Sequence, residues 1–276
     1  MDVVIYHNPD CGTSRSTLKL LHACGFAPTV IEYLKTPPDE GELLALLHDM
    51  RVSLQEILRE KGTPFNALGL GAPGKGEDEL LAAVRQHPVL INRPIVQTPK
   101  GVRLCRPSDV VLDLLPELPR VNVTRDDGTP FLRDYQLTRL ADLALVLEGA
   151  GLQTADLGEP GRTFFQYTRL DGEGVGWGGF ELYGADVLLR SMAVEGRFHR
   201  QGNGRNLAAL LMRRAYERGA RHAYTLTDSA DALAFFERIG FRAVDRLSAP
   251  PFIQFTRQAR ELCPASATLL ARRITL

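Results

Sequence analysis

The 276-residue sequence predicts two α/β domains joined near residue 120. Three observations lead to this prediction. The chain is longer than one average domain requires and has the length of two. Residues 117–133 contain two prolines and an Asp-Asp-Gly turn signal among mixed charges, which is typical of a linker. On both sides of this segment, patterns of strands alternate with patterns of helices. We therefore predict domains at residues 1–118 and 119–276.

The composition is that of an ordinary globular protein, with 44% hydrophobic and 24% charged residues. Thirty-three basic residues balance thirty-three acidic ones, so no net charge indicates nucleic acid or an anionic membrane as a partner. The first residues form no basic leader, and no segment approaches the ~20 apolar residues of a membrane span. The cysteines form no CxxC pair and the histidines have no ligand spacing. We expect a cytoplasmic protein with reduced thiols and no metal.

The first half begins with an apolar strand at 3–6, followed by the loop HNPDCGTSR and a helix. Thr13 and Ser14 are good N-cap types, Leu18, Leu21 and Cys24 share a helix face, and Gly25 ends the helix. The next predicted elements are a strand at 28–33, a helix at 39–50, a helix that begins at the capping box of Ser53 and Glu56, and a helix at 78–86. Strands at 89–91, 95–97 and 102–105 and a helix at 108–115 follow. The order β-α-β, inserted helices, β-β-α is a thioredoxin-like pattern.

The second half predicts an α/β sheet whose first strands are mostly antiparallel. The predicted elements are a helix at 137–149, strands at 162–169, 175–182 and 186–194, a long helix at 204–218, a strand at 223–227, a helix at 230–239, and strands at 241–246 and 268–274. A glycine-bearing turn precedes the long helix.

Cys11 lies between the first strand and the first helix, where unpaired amides and the helix dipole lower the pKa of a thiol and hold an oxyanion. His7 lies in the same loop and is close enough to assist. Ser14 occupies the position of a second cysteine, so Cys11 requires an external thiol to complete a redox cycle. A buried structural cysteine is the alternative interpretation.

Three arginines, Arg59, Arg93 and Arg106, are candidate oxyanion ligands, because guanidinium groups bind tetrahedral oxyanions in a bidentate manner and stay charged. Arg93 and Arg106 each precede a proline, which restricts their backbone. Taken singly, each arginine could equally be a solvated surface charge. For the bond between Arg93 and Pro94, frequency alone predicts the trans form, and a cis proline facing Cys11, as thioredoxin-like folds use, is the alternative.

Four motifs of the first half follow one another along the chain: HNPDCGTSR at 7–15, YLKTPP at 33–38, QHPVLINRP at 86–94 and RLCRPSDVVLDLL at 103–115. Through these motifs, residues 2–116 resemble the glutaredoxin-coupled arsenate reductases. The resemblance implies that Cys11 attacks arsenate and that Arg59, Arg93 and Arg106 bind it. It also implies that His7 helps to hold the thiolate, that glutathione is the co-substrate and that glutaredoxin is the protein partner. Arsenite would be the product.

The other cysteines have structural interpretations. Cys24 belongs to an apolar helix face and is expected in the core. Cys105 adjoins Arg106, so packing is expected, with an accessory redox role as the alternative. Cys263 lies in the motif ELCPASA of the second half.

In the second half, a glycine turn lies between the strand at 186–194 and the long helix. The amides of the turn and of the helix N-terminus can bind an anion, and a pyrophosphate suits that geometry. The succession resembles the GNAT acetyltransferases, and LLRSMAV and LCPASA resemble those of arsenic-resistance acetyltransferases. The resemblance implies acetyl-CoA as co-substrate and a small amine as acceptor. Its implied cofactor contacts are the backbone of Met192, Ala193 and Val194 and the turn of His199, Arg200, Gln201, Gly202, Asn203, Gly204 and Arg205. His199 and Asn203 depart from the family pattern, which predicts weaker pyrophosphate binding.

Catalytic groups of the second half stay open at this stage. Many GNAT enzymes use a tyrosine as general acid where this chain has Phe235 and Phe236, which together with Phe241 are expected in the core. Candidate bases for the amine are Glu181, Glu195 and Asp228.

Two alternatives stay open. The first half could be a thioredoxin-like redox sensor or regulatory domain that uses Cys11, although a sensor does not require three oxyanion ligands. The second half could bind CoA without turnover.

Overall fold

The computed structural model describes residues 1–116 and 120–276. The chain divides into two compact units, Met1–Phe131 with Leu276, and Leu132–Thr275. We call them the first and the second unit. Among the described residues, no helix combines the length and the hydrophobicity that crossing a bilayer requires. Within the same ranges, no three His, Cys, Asp or Glu side chains are grouped so that they could hold a metal ion.

The first unit has a four-stranded mixed sheet with the strand order β2-β1-β3-β4. Its elements are β1 (Val4–His7), α1 (Gly12–Ala23), β2 (Thr29–Glu32), α2 (Glu40–Met50), α3 (Leu54–Ile57), α4 (Glu77–Gln86), β3 (Ile95–Thr98) and β4 (Gly101–Leu104). Strand β1 is parallel to β2 and antiparallel to β3, and β3 is antiparallel to β4. The predicted thioredoxin-like fold with inserted helices is confirmed.

The core of the first unit lies between this sheet and α1. Ile5 of β1 and Val96 of β3 are paired across the ladder and fully buried. Helix α1 buries Leu20 and Leu21 and contacts a 3-10 helix at Ser108–Leu114. Because β1 is an interior strand of this sheet, the loop that follows it is held where α1 begins.

Two predicted elements of the first unit differ in the structure. The segment predicted as a strand at 89–91 is a 3-10 helix, Pro88–Leu90, since the ring of Pro88 fixes the backbone for a helical first turn. Ile91, which follows it, forms an isolated antiparallel bridge to Leu58. The predicted helix at 108–115 is the 3-10 helix Ser108–Leu114. The capping box of Ser53 and Glu56 is present as predicted.

Residues 124–131 pack as part of the first unit. The guanidinium of Arg125 pairs with the buried carboxylate of Asp109 and lies 4.6 Å from the ring centroid of Phe131. Thr124 and Pro130 form an antiparallel bridge. The predicted boundary between residues 118 and 119 lies outside the described residues. Contacts divide the chain later, after Phe131, because these interactions hold the segment on the first unit.

The second unit has a seven-stranded sheet with the order β10-β11-β9-β8-β7-β6-β5. Its elements are β5 (Leu132–Gln136), α5 (Ala141–Gly149), β6 (Arg162–Arg169), β7 (Gly174–Tyr183), β8 (Asp186–Val194), α6 (Asn203–Glu217), β9 (His222–Thr227), α7 (Ala230–Arg238), β10 (Arg242–Val244), α8 (Pro251–Gln254) and β11 (Thr268–Arg273). Strands β5 to β8 are antiparallel neighbours, and β8 is parallel to β9. The predicted α/β class is confirmed.

Strand β5 begins inside the predicted linker. Its charged sequence, Leu-Arg-Asp-Tyr-Gln, does not alternate in hydrophobicity, so the pattern does not indicate a strand. Contacts with α6 and β6, rather than a local hydrophobic pattern, hold this segment in the sheet. Asp134 accepts two hydrogen bonds from Arg214 of α6, at 2.6 and 2.8 Å, and β5 pairs with β6 along its full length.

Candidate functional sites

Cys11 is the N-cap residue of α1, and no side-chain hydrogen bond caps this helix. Its amide donates to the carbonyl of Asn8 at 3.0 Å, and its carbonyl accepts from the amide of Arg15 at 3.0 Å. The half-buried thiol therefore takes the place of the usual capping oxygen, opposite the first free amides of the helix. The predicted N-cap types, Thr13 and Ser14, lie inside the first turn instead.

The surroundings of Cys11 favour its thiolate. Burial raises the pKa of the thiol, but the amide of Ser14, the guanidinium groups of Arg93 and Arg106 and the amide of Thr13 lower it by more. The net pKa lies below the ordinary value for cysteine. A lowered pKa at a helix N-terminus is the condition for a reactive thiol.

Arg93 and Arg106 converge on Cys11 from two separate segments. Arg93 is 7% exposed, and among the described residues its Nε and Nη1 have no hydrogen-bond partner. Nη1 of Arg106 donates to the carbonyl of Arg93 at 3.0 Å. Burial lowers the pKa of Arg106, while the charge of Cys11 and a hydrogen bond with its thiol raise it. A buried guanidinium with two unsatisfied donors is a ready ligand for an oxyanion.

Arg59 lies near the same groups, although its contacts differ. Its backbone amide donates to the carbonyl of Leu90 at 2.8 Å, and its Nε donates to the carbonyl of Lys61 at 2.6 Å. Its charge contributes to lowering the pKa of Arg106 and opposes the raised pKa of Tyr33. The charges of all three predicted arginines thus act on Tyr33, and those of Arg93 and Arg106 also act on Cys11.

His7 is buried at the end of β1, and among the described residues its Nδ1 has no hydrogen-bond partner. Burial lowers the pKa of His7, Glu32 raises it and Arg15 lowers it, with a net lowering. The neutral imidazole is therefore favoured. The positive charge that acts on Cys11 comes from Arg93 and Arg106.

Two backbone features correct or extend the sequence analysis. The peptide bonds Arg93–Pro94 and Arg106–Pro107 are both cis, so the trans form expected from frequency for Pro94 was wrong and its cis alternative is the form present. Cys24 and Cys105 are buried, as the packing interpretation predicts, and the thiol of Cys105 lies 3.6 Å from the carbonyl of Arg103. Sequence reasoning missed Tyr33, a fully buried phenol near Cys11 whose signal was hidden in a strand pattern.

The glycine turn of the second unit leads into α6 through two left-handed residues. Gly202 is the N-cap residue, with φ at 81°, and Arg200 has φ at 59°. Glycine adopts this region freely, whereas an arginine there is strained. Helix α6 begins at Asn203, one residue earlier than predicted, so its N-terminal amides follow the turn directly.

Side chains brace this turn at the two positions that depart from the family pattern. Nδ2 of Asn203 donates to the carbonyl of Phe198 at 2.9 Å. Nε2 of His199 lies 2.8 Å from the carbonyl of Val194 and donates to it in the tautomer that carries hydrogen there. Gln201 adds a hydrogen bond to the carbonyl of Arg197 at 2.8 Å. The turn is therefore held in shape by the chain itself.

Strands β8 and β9 separate beside this turn. They pair at Asp186–Leu188 with residues 222–224, while β8 continues to Val194 and β9 to Thr227. A bulge on β8 follows Arg190, where Ser191 has φ at 53°. The predicted pantetheine contacts, Met192, Ala193 and Val194, lie on β8 in this open stretch. Sequence reasoning missed Ser191, whose buried Oγ has no partner among the described residues.

The three candidate bases have different surroundings. Glu181 is buried and pairs with Arg190 and Arg162, and Tyr183 donates to its Oε2 at 2.6 Å. Glu195 pairs with Arg197 at 2.9 Å. Asp228 is exposed directly after β9. The carboxylate of Glu181 is therefore engaged by two arginines and a phenol.

The phenylalanines do not share one environment. Phe236 and Phe241 are buried and stack edge to face at 5.4 Å, as predicted for the core. Phe235 is half-buried, and its ring would lie 3.4 Å from a Cβ added at Gly204. Its ring therefore forms part of the wall beside the glycine turn.

Comparisons with known proteins agree with this division. Residues 6–114 match the ArsC family, and residues 130–241 match the acetyltransferase (GNAT) family. The arsenate reductase of Rhizobium meliloti strain 1021 is 52% identical over 132 residues, covering 48% of this chain and 94% of that protein. The solved arsenate reductase of Vibrio cholerae is 43% identical with a TM-score of 0.40, covering 42% of this chain and 98% of that one.

For the second unit, the solved GNAT-family acetyltransferase of Staphylococcus aureus Mu50 is 16% identical with a TM-score of 0.41, covering 51% of this chain and 98% of that one. The resemblance of the first half to arsenate reductases and of the second half to GNAT acetyltransferases is confirmed by these family matches. The chain belongs to the ArsC family through its first unit and carries a GNAT acetyltransferase domain in its second.

Proposed function

We propose that the first unit reduces arsenate to arsenite with glutathione and glutaredoxin, using Cys11 as nucleophile. The observation that carries the proposal is the buried guanidinium of Arg93, whose Nε and Nη1 are without partners among the described residues beside a thiol of lowered pKa. Arg59 and Arg106 complete the set of oxyanion ligands. Together they would neutralise arsenate and the charge that develops on it.

Arsenate would be reduced in successive thiol exchange steps on arsenic. The Cys11 thiolate attacks arsenic, a sulfur–arsenic bond forms, and one arsenate oxygen leaves as water. Glutathione adds to arsenic in the same way. A glutaredoxin thiolate then attacks the glutathione sulfur, and the electron pair of the arsenic–sulfur bond stays on arsenic, which becomes trivalent. Hydrolysis of the remaining bond releases arsenite and the Cys11 thiolate.

The test is arsenate-dependent oxidation of NADPH in the presence of glutathione, glutaredoxin and glutathione reductase. We expect turnover in the wild type and none in Cys11→Ser, with Cys263→Ser as the matched control that keeps turnover. Omitting glutaredoxin should stop steady-state turnover. Turnover that persists without glutaredoxin or in Cys11→Ser would contradict the proposal.

The arginines favour reduction over redox sensing as the function of Cys11. A sensor requires an accessible thiol and a partner, whereas a buried, unsatisfied guanidinium is costly and is useful where an anion binds. Reversible oxidation of Cys11 by peroxide without arsenate turnover would favour the sensor. The chemistry also needs reduced thiols, so we propose the cytoplasm as the compartment.

We propose that the second unit transfers an acetyl group from acetyl-CoA to a small amine. The amides of Arg200–Arg205 would hold the pyrophosphate, and the open backbone of Met192, Ala193 and Val194 would receive the pantetheine arm. The support is the separation of β8 from β9 next to a pre-shaped glycine turn. Asp228 is the favoured base, since Glu181 and Glu195 are both engaged by arginines.

Two measurements test the second activity. Calorimetric titration with CoA should give one site, and acetyl transfer to a panel of small amines should release free CoA thiol. Binding without transfer to any amine would favour a CoA-binding module. Absence of binding would contradict the proposed cofactor site.

A further inference from the structure

We propose that Tyr33 is a positioning residue for the oxyanion, because its hydroxyl ties the segment that carries Arg93 to the sheet beside Cys11. The proposal rests on the proposed arsenate reduction and adds a residue to that site. Tyr33 is 1% exposed, and its hydroxyl donates to the carbonyl of Ile91 at 3.1 Å. Ile91 lies two residues before Arg93.

The carbonyl that Tyr33 holds lies at the junction of two arginine-bearing segments. The amide of Arg59 donates to the carbonyl of Leu90 at 2.8 Å, and the amide of Asn92 donates to the carbonyl of Ile57 at 2.9 Å. Ile91 itself bridges Leu58. One side-chain hydrogen bond therefore acts on the place where the backbones of both segments are joined.

The other end of Tyr33 is fixed to the loop that carries the nucleophile. Its amide donates to the carbonyl of His7 at 3.3 Å, directly after the last paired residue of β2. The backbone of Tyr33 thus belongs to the Cys11 side of the site and its hydroxyl to the arginine side. The residue sets the spacing between them.

The charges that act on the phenol of Tyr33 are consistent with a place between Cys11 and the arginines. Burial raises the pKa of Tyr33, Arg93 lowers it, Cys11 raises it, and Arg59 and Arg106 lower it. The charges of the nucleophile and of all three arginines thus act on one phenol. With its pKa raised overall, the phenol keeps its proton near neutral pH and stays a donor to the carbonyl.

The test is Tyr33→Phe, which removes one oxygen and keeps the packing of the ring. The freed carbonyl of Ile91 should loosen the Arg93 segment, so we expect the KM for arsenate to rise about tenfold while kcat falls by less than about threefold. Because the freed carbonyl of Ile91 is buried, Tyr33→Phe should lower the unfolding temperature by a few degrees, while the pH profile of Cys11 alkylation should stay close to that of the wild type. An unchanged KM would overturn the proposal.

Tyr6→Phe is the matched control. Tyr6, on β1, is also a buried tyrosine of the first unit, and the charges that act on it are those of Glu42 and Asp39 rather than the arginines. We expect its KM for arsenate to stay at the wild-type value. Equal effects of the two substitutions would indicate general destabilisation and would contradict the positioning role.

A double-mutant cycle separates positioning from a simple structural role. If Tyr33 acts through Arg93, Tyr33→Phe should have little further effect on arsenate binding in an Arg93→Ala background. Additive effects would overturn the proposal. Calorimetric titration of arsenate supplies this readout even without turnover, so failure of the reductase assay and failure of the positioning role are distinguishable.

Discussion

The two proposed anion sites of this chain are built from groups of opposite kinds. In the first unit, the side chains of Arg93 and Arg106, from two separate segments, act on the helix N-terminus at Cys11, and Arg59 acts on Arg106. In the second unit, one continuous stretch of backbone, from His199 to Arg205, leads into α6. A side-chain site brings full positive charge but depends on the whole fold to assemble it. A backbone site brings partial charges and needs the local turn to keep its shape.

This difference is visible in what supports each site. Within residues 1–116 and 120–276, Nε and Nη1 of the buried Arg93 have no hydrogen-bond partner, so the stability of the surrounding core has to offset the cost of burying them. The glycine turn is supported by neutral hydrogen bonds from Asn203, His199 and Gln201 to nearby carbonyls. We expect loss of a charge to affect the first site strongly, and loss of a brace to affect the second site moderately.

The largest effect is expected for Arg93→Ala. Removing a preorganised cation from a transition state costs about 2–4 kcal/mol, so kcat/KM for arsenate should fall about 30- to 1,000-fold. The measurement is the coupled NADPH assay. Arg85→Ala, which removes an exposed arginine paired with Glu40, is the control and should keep wild-type kinetics. Unchanged turnover in Arg93→Ala would remove Arg93 from the site.

The next effect is expected for Gly202→Ala in the second unit. A Cβ at a left-handed residue costs about 1–2 kcal/mol, so a turn that shifts to relieve this strain should bind CoA about 5- to 30-fold more weakly. Gly184→Ala is the matched control, because Gly184 also has positive φ, at 63°, in the turn between β7 and β8. Both variants should lose stability. Equal CoA affinity in the two would contradict the role of the turn.

A smaller effect is expected for Arg106→Ala on the titration of Cys11. Arg106 favours the thiolate, so its loss should raise the pKa of Cys11 and reduce the thiolate fraction at neutral pH. Alkylation by iodoacetamide should slow about three- to tenfold there and recover at higher pH. Arg103→Ala on β4 is the control. A midpoint that moves to lower pH in Arg106→Ala would contradict this electrostatic account.

The smallest effect is expected for Asn203→Ala. Loss of one neutral hydrogen bond to the carbonyl of Phe198 should weaken CoA binding about two- to fivefold. Titration calorimetry of CoA measures it. An effect larger than that of Gly202→Ala would reverse the order predicted here and would indicate that the brace matters more than the conformation of the glycine.

The sequence predicted what is local and missed what depends on tertiary contact. The loop from His7 to Arg15 and the glycine turn are each one continuous segment of the chain. The position of each between a strand and a helix could therefore be predicted from the sequence pattern. The arginines were candidates as anion-binding side chains, but their convergence depends on the fold and was implied by resemblance. Tyr33 followed an apolar strand pattern, which gave no sign that its hydroxyl reaches Ile91.

Strand β5 and the bulge at Ser191 show the same limit. The charged residues of β5 pair because α6 supplies Arg214 to Asp134, which no local pattern indicates. The sequence LLRSMAV has the pattern of an ordinary strand despite the bulge. The one extra residue changes the register between β8 and β7 without interrupting the hydrophobic run. Strand β5 and the bulge were both missed because a partner element decides the structure there, whereas the bounds of the strand at 186–194 were predicted correctly.

The separation of β8 from β9 also has a mechanical consequence for the second unit. Three residue pairs, from Asp186 to Leu188 on β8, join the antiparallel half of the sheet, β5 to β8, to the half formed by β9, β10 and β11. Within the antiparallel half the ladders are long and each strand pairs with the next in the chain. Under load the sheet should therefore part at this short seam, and the amides that bridge it should exchange with solvent before those at the centre of β7.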